Sequence, residues 1–325
     1  MNGNIEGKRI RWGILSTARI AHQFAEDMAY VENGELAAVA SRSAEPATAF
    51  AARHGIPTAY ASYEELYADP EIDAIYVATP HSLHLENSID ALRAGKAVLC
   101  EKPLTISVAE VDTLMSVVTE TGGYLMEAMW TWFLPAIRRA QEWVEAGEIG
   151  QLCRIRSDFG FPFRPYSPEY REYDPALGGG AVPEIGIYPI AMAYLFTRRD
   201  PASIDVVARR APSGVEDDVI AIFDYGDVAA ELSASFRCKL PNNTLVIGDK
   251  GHIVIPDFWG ARECHLYRVE DKVDSFIDER QSHGYDFETV AVNDDLLQGR
   301  TESAVMPLSV SRTLQQHIAA IKARC

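Results

Sequence analysis

The chain has 325 residues, of which 47% are hydrophobic and 24% charged, as in an ordinary globular protein long enough for two domains. Its 47 acidic and 30 basic residues give a net charge of −17, which disfavours nucleic acid and anionic membrane surfaces as partners. Residues 1–9 are polar and no apolar run is as long as a transmembrane helix, so we expect neither a secretion signal nor a membrane span.

The cysteine and histidine patterns do not predict a metal site. The five cysteines are scattered without CxxC spacing, and the eight histidines show no HExxH pattern. His81 and His84 are three residues apart, but no carboxylate motif accompanies them. We therefore expect free thiols, a reducing compartment with the cytoplasm as the default location, and no metal.

The first part of the chain alternates short apolar runs with helical patterns. Ser62 with Glu65 and Ser107 with Glu110 form capping-box patterns, which mark the starts of helices. Strands are predicted over 10–15, 36–40, 73–79, 97–101 and 124–129, and helices over 19–28, 44–54, 83–94 and 107–121. This alternation predicts an α/β fold with a parallel, doubly wound sheet.

The pattern changes after about residue 128, which predicts a second domain. A helix over 135–146 leads into strands with few helices between them, and a closing helix is expected over 307–322. The predicted strands cover 152–161, 203–210, 217–225, 228–237, 244–247 and 252–255. The turn 224–227 predicts a hairpin, and the whole pattern predicts a mostly antiparallel sheet. We assign residues 1–128 to the first domain and 129–325 to the second.

The turn after the first strand has the position of a dinucleotide-binding turn. Gly13 is present, whereas Ser16 and Ala18 replace the two turn glycines, and Ala21 takes the close-packing position. Small residues let a pyrophosphate approach the backbone, and the helix N-terminus stabilises its charge. A plain tight turn is the alternative interpretation.

The end of the second strand bears on the choice between NADP and NAD. An NAD site usually places Asp or Glu there, but this chain has Ser41, Arg42 and Ser43. A guanidinium and two hydroxyl groups suit a 2′-phosphate, which favours NADP, although NAD is possible. Arg42 as an ordinary exposed charge is the alternative.

Two further motifs contain residue types that can take part in catalysis. Lys102 follows the buried strand 97–101, and ligands of open α/β sheets bind at the carboxyl ends of strands. A lysine in such a place can take part in proton transfer. Downstream, three glycines at 178–180 precede Glu184 and Tyr188, which share one face if the segment is helical. A glycine-rich loop packed onto a core helix explains the second motif equally well.

These motifs together resemble the glucose–fructose oxidoreductase / inositol dehydrogenase (Gfo/Idh/MocA) family. The resemblance rests on residues 11–21, on 78–84 and on Glu101-Lys102-Pro103, and it covers essentially the whole chain. Residues 126–133 and 179–189 resemble the branch of dimeric dihydrodiol dehydrogenases and NADP-dependent D-xylose dehydrogenases. The resemblance implies an N-terminal Rossmann domain, an open mixed C-terminal sheet and a homodimer formed through that sheet.

The resemblance also implies roles for individual residues. Lys102 and Tyr188 match the proton-transfer pair, and Glu184 stands where an aspartate is usual, so these three are the catalytic candidates. The cofactor candidates are Gly13, Ser16, Thr17, Ala18, Arg19, Ile20, Ser41, Arg42, Ser43, Thr79, Pro80, His81, His84, Glu101, Lys102 and Trp130. The substrate candidates are Lys102, Trp130, Phe161, Arg164, Glu184 and Tyr188.

The expected function is hydride transfer between NADP and a hydroxyl carbon of an aldose or a cyclic trans-diol. An NAD-dependent inositol or polyol dehydrogenase is one alternative, but it would usually have an acid near residue 41. A non-catalytic cofactor-binding regulator is another, but it should lack Lys102 or Tyr188, and both are present. A glycoside hydrolase that keeps NAD bound is a third.

Overall fold

The structure is a computed structural model that describes residues 8–163 and 165–325. The chain divides into two compact units. The first contains the chain up to Trp130 together with Gln281–Arg312, and the second contains Thr131–Arg280 and Thr313–Cys325. Within the described residues, no helix is both long and apolar enough to cross a membrane.

The first unit contains a six-stranded parallel sheet in the order 3-2-1-4-5-6, the strand order of a Rossmann fold. Its strands are β1 (Ile10–Leu15), β2 (Gly34–Ala40), β3 (Thr58–Tyr60), β4 (Ala74–Val77), β5 (Ala97–Glu101) and β6 (Leu125–Ala128). The helices between them are α1 (Arg19–Asp27), α2 (Ala44–His54), α3 (Tyr63–Ala68), α4 (His84–Arg93) and α5 (Val108–Thr121). The predicted parallel sheet is confirmed.

Local signals in the sequence fix several of these boundaries. The Ser62 and Ser107 hydroxyl oxygens accept hydrogen bonds from the backbone N–H groups of Glu65 and Glu110, both at 3.3 Å, as the capping boxes predicted. Gly122 ends α5 in the left-handed conformation, with φ of 64°. Strands β4, β5 and β6 are buried along their whole length, which explains their mostly apolar sequences.

The second unit contains an eight-stranded mixed sheet. Its strands are β7 (Leu152–Gly160), β8 (Ser203–Arg210), β9 (Glu216–Asp224), β10 (Ala229–Ser235), β11 (Thr244–Gly248), β12 (His252–Ile255), β13 (Glu263–Arg268) and β14 (Asp271–Ile277). Only β7 and β10 pair in parallel, and the other neighbours are antiparallel. The predicted hairpin at 224–227 is confirmed by the β9–β10 pair.

One face of this second sheet is covered and the other is open. Helices α6 (Pro135–Glu145) and α7 (Ile187–Thr197) pack on the face that carries buried residues such as Ile155, Leu232 and Val246. A π-helical turn, Val182–Gly186, leads directly into α7. The opposite face leaves Val207, Ile220 and Ile222 substantially exposed.

Residues 281–312 differ from the sequence-based division, which placed all of 129–325 in a second domain. This segment contains helix α8 (Tyr285–Leu297), and the first unit holds it by polar contacts. The Asp27 carboxylate accepts three backbone N–H groups at 2.8 Å at the start of α8, and the Trp12 indole donates to Asn293 at 2.9 Å. Helix α9 (Leu308–Lys322), close to the predicted closing helix, begins in the first unit and continues in the second.

Candidate active site

The turn after β1 has the backbone geometry of a phosphate-binding turn. Ser16 has a φ of 101°, a conformation typical of glycine, and its N–H donates to the Ala40 carbonyl at 2.9 Å. Ala18 is the N-cap of α1 and has no side-chain oxygen, so it does not cap the first-turn N–H groups. Residues 16–20 are all at least partly exposed. The turn therefore fits a pyrophosphate, although two glycines of the usual motif are replaced.

Packing inside the first unit explains why position 13 is a glycine, without any contact to a cofactor. It lies inside the buried strand β1, and a methyl group on its Cα would lie 2.6 Å from a Leu66 methyl carbon. Leu66 belongs to α3, so the missing side chain lets this helix pack closely against the sheet. Gly13 is thus a packing residue before the turn.

The segment after β2 presents polar side chains. Arg42 and Ser43 are exposed, and Ser41 is half-buried with its N–H bonded to the Tyr60 carbonyl at 3.2 Å. Ser43 is the N-cap residue of α2, but its hydroxyl makes no capping hydrogen bond. The end of β2 therefore offers one guanidinium and two hydroxyl groups.

His84 joins the ends of two neighbouring strands. Its ring is fully buried, with Nε2 at 2.8 Å from the Thr79 carbonyl oxygen and Nδ1 at 2.9 Å from the Pro103 carbonyl oxygen. Asn87 donates to the Thr79 hydroxyl at 3.0 Å, and His81 is buried beside the His84 ring. These side chains hold the carboxyl ends of β4 and β5 in place.

Lys102 is anchored through its backbone. The buried Glu101 carboxylate accepts the Lys102 backbone N–H at 3.2 Å with one oxygen and the Tyr76 hydroxyl with the other. The peptide bond between Lys102 and Pro103 is cis, and His84 contacts the Pro103 carbonyl. The Lys102 side chain itself is partly exposed. The backbone at Lys102 is thus held by the Glu101 carboxylate on one side and by the contact of His84 with Pro103 on the other.

Two further buried acids interact electrostatically with Glu101, and one of them also with Lys102. Burial raises the pKa of Glu127 to about 7, and the Lys102 charge and a 2.8 Å hydrogen bond from the Leu104 N–H oppose that rise. Glu288 on α8 is fully buried, and neither of its carboxyl oxygens has a hydrogen-bond partner among the described residues. Burial, and then the Glu101 charge, raise the pKa of Glu288 well above its ordinary value. The shift favours the neutral form of Glu288 and so limits the negative charge beside Glu101.

An aromatic pair completes the candidate residues of the first unit. Trp130 stacks on Tyr285 with ring centroids 4.6 Å apart and an interplanar angle of 21°. Both residues are buried. Sequence reasoning selected Trp130 but missed Tyr285, because α8 is distant in the chain and carries no motif.

Tyr188 lies in an aromatic cluster of the second unit. It is in the first turn of α7, is 7% exposed, and meets Phe159 edge-on with centroids 5.4 Å apart. Phe159 also stacks on Trp259 at 5.5 Å. Phe161, at the exposed margin, lies below the Lys239 ammonium, 4.8 Å from the ring centroid. This cluster offers apolar ring faces beside a phenol.

Glu184 lies one turn before Tyr188 and is paired with Arg171. The guanidinium donates from Nη1 to Oε2 at 3.0 Å and from Nη2 to Oε1 at 2.7 Å. Arg171 comes from a turn between β7 and the π-helical segment, and sequence reasoning missed it because nothing marks its pairing with Glu184. The two hydrogen bonds fix the orientation of the Glu184 carboxyl group.

The structure thus gathers the predicted residues within each unit. The first unit brings Thr79, His84, Glu101 and Lys102 to one sheet edge, and the second places Glu184 and Tyr188 on consecutive turns. Arg164 lies outside the described residues. Among the residues the structure describes, no group of three or more His, Cys, Asp or Glu side chains is arranged to hold a metal ion.

Comparison with known proteins identifies the family. Residues 10–129 match the oxidoreductase family with an NAD-binding Rossmann fold, and residues 137–254 match the GFO/IDH/MocA C-terminal domain. The chain belongs to the Gfo/Idh/MocA oxidoreductase family. This confirms the resemblance inferred from its motifs.

Relatives within the family cover nearly the whole chain. The trans-1,2-dihydrobenzene-1,2-diol dehydrogenases of Mus musculus and Homo sapiens are each 34% identical to it, over 94% of this chain and 94% and 93% of their own. A 3-ketoreductase from Actinomadura kijaniata, solved with TDP-benzene and NADP, is 26% identical with a TM-score of 0.82 and covers 97% of both chains. An aldose-aldose oxidoreductase from Caulobacter crescentus, with 24% identity, a TM-score of 0.88 and coverage of 98% of this chain and 97% of its own, supports the fold.

Proposed function

We propose that this oxidoreductase is an NADP-dependent dehydrogenase that transfers hydride between the nicotinamide and a hydroxyl carbon of an aldose or cyclic trans-diol. The observation that carries the proposal is the anchored Lys102 at the end of β5, with Glu101 and His84 fixing its backbone. The diol dehydrogenases among the relatives support the substrate class, and the NADP complex of the ketoreductase supports the cofactor.

The cofactor is assigned to the first unit. The turn at Ser16 and the N-terminus of α1 would hold the pyrophosphate, and Arg42 with its flanking serines would hold a 2′-phosphate. The absence of Asp or Glu from positions 41–43 argues against an NAD-type ribose contact. When bound, the nicotinamide supplies the redox chemistry, and the protein supplies binding and proton transfer.

Proton transfer is assigned to Lys102 and Tyr188. Oxidation of an alcohol releases a proton, and a phenol is a suitable acceptor when a positive charge stabilises the phenolate. The ring of Tyr188 is held in one orientation by Phe159, and the Lys102 backbone is held by Glu101. We assign dinucleotide binding to residues 1–128, and substrate binding and dimerisation to residues 129–325 apart from Gln281–Arg312, which belong to the first unit.

The open face of the second sheet is assigned to a second copy of the chain. Val207 is 60% exposed and Ile220 43% exposed, and the two are register neighbours on β8 and β9. Adjacent exposed aliphatic side chains on a sheet face are typical of a covered surface. Sedimentation velocity that finds only monomer at micromolar concentrations would refute the homodimer.

The direct test is absorbance of NADPH or NADH formed from a panel of pyranoses, inositols and trans-diols. The wild-type protein should reduce NADP in preference to NAD with one sugar or diol class. Lys102→Met should lower turnover by roughly 10²- to 10⁴-fold and keep NADPH affinity within about tenfold, because it removes a proton-transfer group and few cofactor contacts.

The exposed Lys250 offers a matched control for that substitution. Lys250→Met should leave turnover unchanged. Near wild-type turnover of Lys102→Met would refute the catalytic assignment. Tight NADPH binding without turnover on the whole panel would favour a cofactor-binding regulator instead.

A further inference from the structure

Glu127, on strand β6, is a buried acid to which the proposed reaction gives no part. The residue is only 1% exposed. Its Oε1 accepts the Leu104 N–H at 2.8 Å, whereas its Oε2 makes no hydrogen bond to the described residues. Burying a carboxylate with so few hydrogen bonds costs free energy. An acid kept in this place therefore points to a role that an apolar side chain would not fill.

The first role is structural, because the segment after β5 is held from both faces of the sheet. Glu127 and Glu101 project to opposite faces, since Glu127 is paired in register with the residue before Glu101. Glu101 accepts the Lys102 N–H at 3.2 Å, and Glu127 accepts the Leu104 N–H at 2.8 Å. Because Pro103 has no N–H, the two buried carboxylates hold both N–H groups of the tripeptide 102–104.

The second role is electrostatic. Burial raises the pKa of Glu127 to about 7, and the positive charge of Lys102 opposes this rise. The attraction is mutual, so the ionised carboxylate also stabilises the positive charge of Lys102. The proton transfer assigned above uses that positive charge to stabilise the phenolate of Tyr188.

The other groups that act on Glu127 provide no competing positive charge. The Ser311 hydroxyl group on α9 favours the ionised form of Glu127, and the Glu101 charge opposes it. The Cys100 thiol interacts with the Glu127 charge, but burial raises the pKa of this thiol and favours its uncharged form. Lys102 is thus the cation that Glu127 faces.

We propose that Glu127 is a positioning residue that holds the segment bearing Lys102 and, when ionised, keeps Lys102 positively charged during proton transfer. This inference rests on the proposed dehydrogenase function and adds a residue to its proton-transfer apparatus. Glu127 exchanges no proton with the substrate and acts through Lys102. Its replacement therefore changes turnover and the pH dependence of turnover, while NADPH affinity stays nearly constant.

Two substitutions separate the hydrogen bond from the charge. Glu127→Gln keeps an oxygen that can accept the Leu104 N–H but removes the charge, and it should lower kcat at pH 8 about tenfold. Glu127→Met removes both, and it should lower kcat about 10²-fold, as expected when a reacting group is misplaced. Both variants should keep the Kd for NADPH within about threefold. Wild-type kcat in Glu127→Met would overturn the positioning role.

The pH dependence of kcat distinguishes the charge of Glu127 from a purely structural effect. In the wild type, kcat should fall as the pH decreases through about 7, because Glu127 becomes protonated there. Glu127→Gln should lack this decrease and should equal the wild type at its acidic limit. If the decrease persists unchanged in Glu127→Gln, the electrostatic role is wrong.

Asp295 provides a matched control in the same unit. It is a buried acid that accepts the Tyr124 hydroxyl group at 2.7 Å, beside the opposite end of β6. Asp295→Asn should leave both kcat and its pH dependence unchanged. Thermal unfolding of every variant checks that it is folded. The same loss of pH dependence in Asp295→Asn would overturn a specific role for Glu127.

Chemical labelling separates this inference from the proposed function, because it needs no substrate. Competitive acetylation with acetic anhydride at pH 8, read by peptide mass spectrometry, compares Lys102 with the exposed Lys250 of the same molecule. Glu127→Gln should raise the labelling rate of Lys102 at least about threefold, because only the uncharged amine reacts and the variant stabilises the ammonium less.

The outcomes of labelling and turnover can be read independently. Faster labelling in Glu127→Gln, with no turnover by the wild type on the whole substrate panel, would refute the dehydrogenase and keep the electrostatic role of Glu127. An unchanged labelling rate would overturn that role whether or not the wild type turns over a substrate.

Discussion

Each unit of this protein contains one turn built from small residues, and the two turns use them differently. In the first unit, Ser16 has a φ of 101° although it is not glycine, and the turn it forms is partly exposed. In the second unit, Gly179 is buried, and backbone carbonyl groups of the turn 171–174 occupy the space that a side chain would need.

The contrast separates a binding turn, which contains Ser16, from a scaffold turn, which contains Gly179. A strained turn that the protein does not fill is available to a ligand, and such strain concentrates at functional sites. A glycine run filled by the protein's own chain supports another element, here the Arg171 turn. In the sequence, both turns appear as clusters of small residues. They are distinguished only by whether the protein's own chain fills the space beside the backbone.

The largest expected effect is on the scaffold turn. Gly179→Ala should lower the free energy of unfolding by roughly 2–4 kcal/mol, because its methyl group would overlap three backbone carbonyl oxygens that cannot move independently. Urea denaturation measures the change. Gly186→Ala is the control, because its nearest contacts would be 3.2 Å or longer and alanine favours a helix, so it should cost under about 1 kcal/mol. Equal losses in the two variants would contradict the distinction.

The next effect concerns ligand affinity beside the binding turn. Arg42→Ala should weaken NADP(H) by roughly 1.5–3 kcal/mol and barely change NAD(H), as expected for a lost hydrogen bond to a charged group. Fluorescence titration with each cofactor measures it. Arg53, exposed at the far end of α2, is the control, and Arg53→Ala should leave both affinities unchanged. An equal loss for both cofactors would show that Arg42 does not contact the 2′-phosphate.

The smallest effect is on the binding turn itself. Ser16→Gly should change the free energy of unfolding by no more than about 1 kcal/mol, since relief of the positive φ offsets the extra entropy of the unfolded chain. Ser16→Val should destabilise by more, because a β-branched residue adopts this φ poorly. Thermal unfolding of both variants checks the order. If valine is tolerated as well as glycine, the turn is not strained.

The sequence predicted the centre of the parallel sheet well because strands β4, β5 and β6 are buried along their length and are mostly apolar. It missed α8 because several of the side chains that this helix buries are polar, Glu288 and Asn293 among them, which removes the apolar stripe. It missed β14 because that strand is exposed along nearly its whole length. The hydrophobic periodicity of a sequence reveals elements that bury apolar side chains on one face only. Neither α8 nor β14 is of this kind.

The same limit applies to the candidate site. Lys102, Ser16 and Arg42 could be proposed from the sequence because each follows a strand, where the topology of an α/β sheet places ligands. Arg171 and Tyr285 were not found, since their importance depends on contacts with Glu184 and Trp130 that only the folded chain creates. A residue that follows a predicted strand can be recognised from the local sequence. A pair of residues from distant segments cannot, because the local sequence does not show which segments meet.

The return of residues 281–312 to the first unit has a consequence for the order of synthesis. A ribosome must make the whole stretch Thr131–Arg280 before α8 exists. Until then the growing chain has no Asn293 to receive the Trp12 indole and no α8 start for the Asp27 carboxylate to cap. Although domains generally fold as they emerge, N-terminal first, this Rossmann unit is completed only after most of its neighbour has been translated. Partial chains that stop before α8 will therefore expose the surface that it covers.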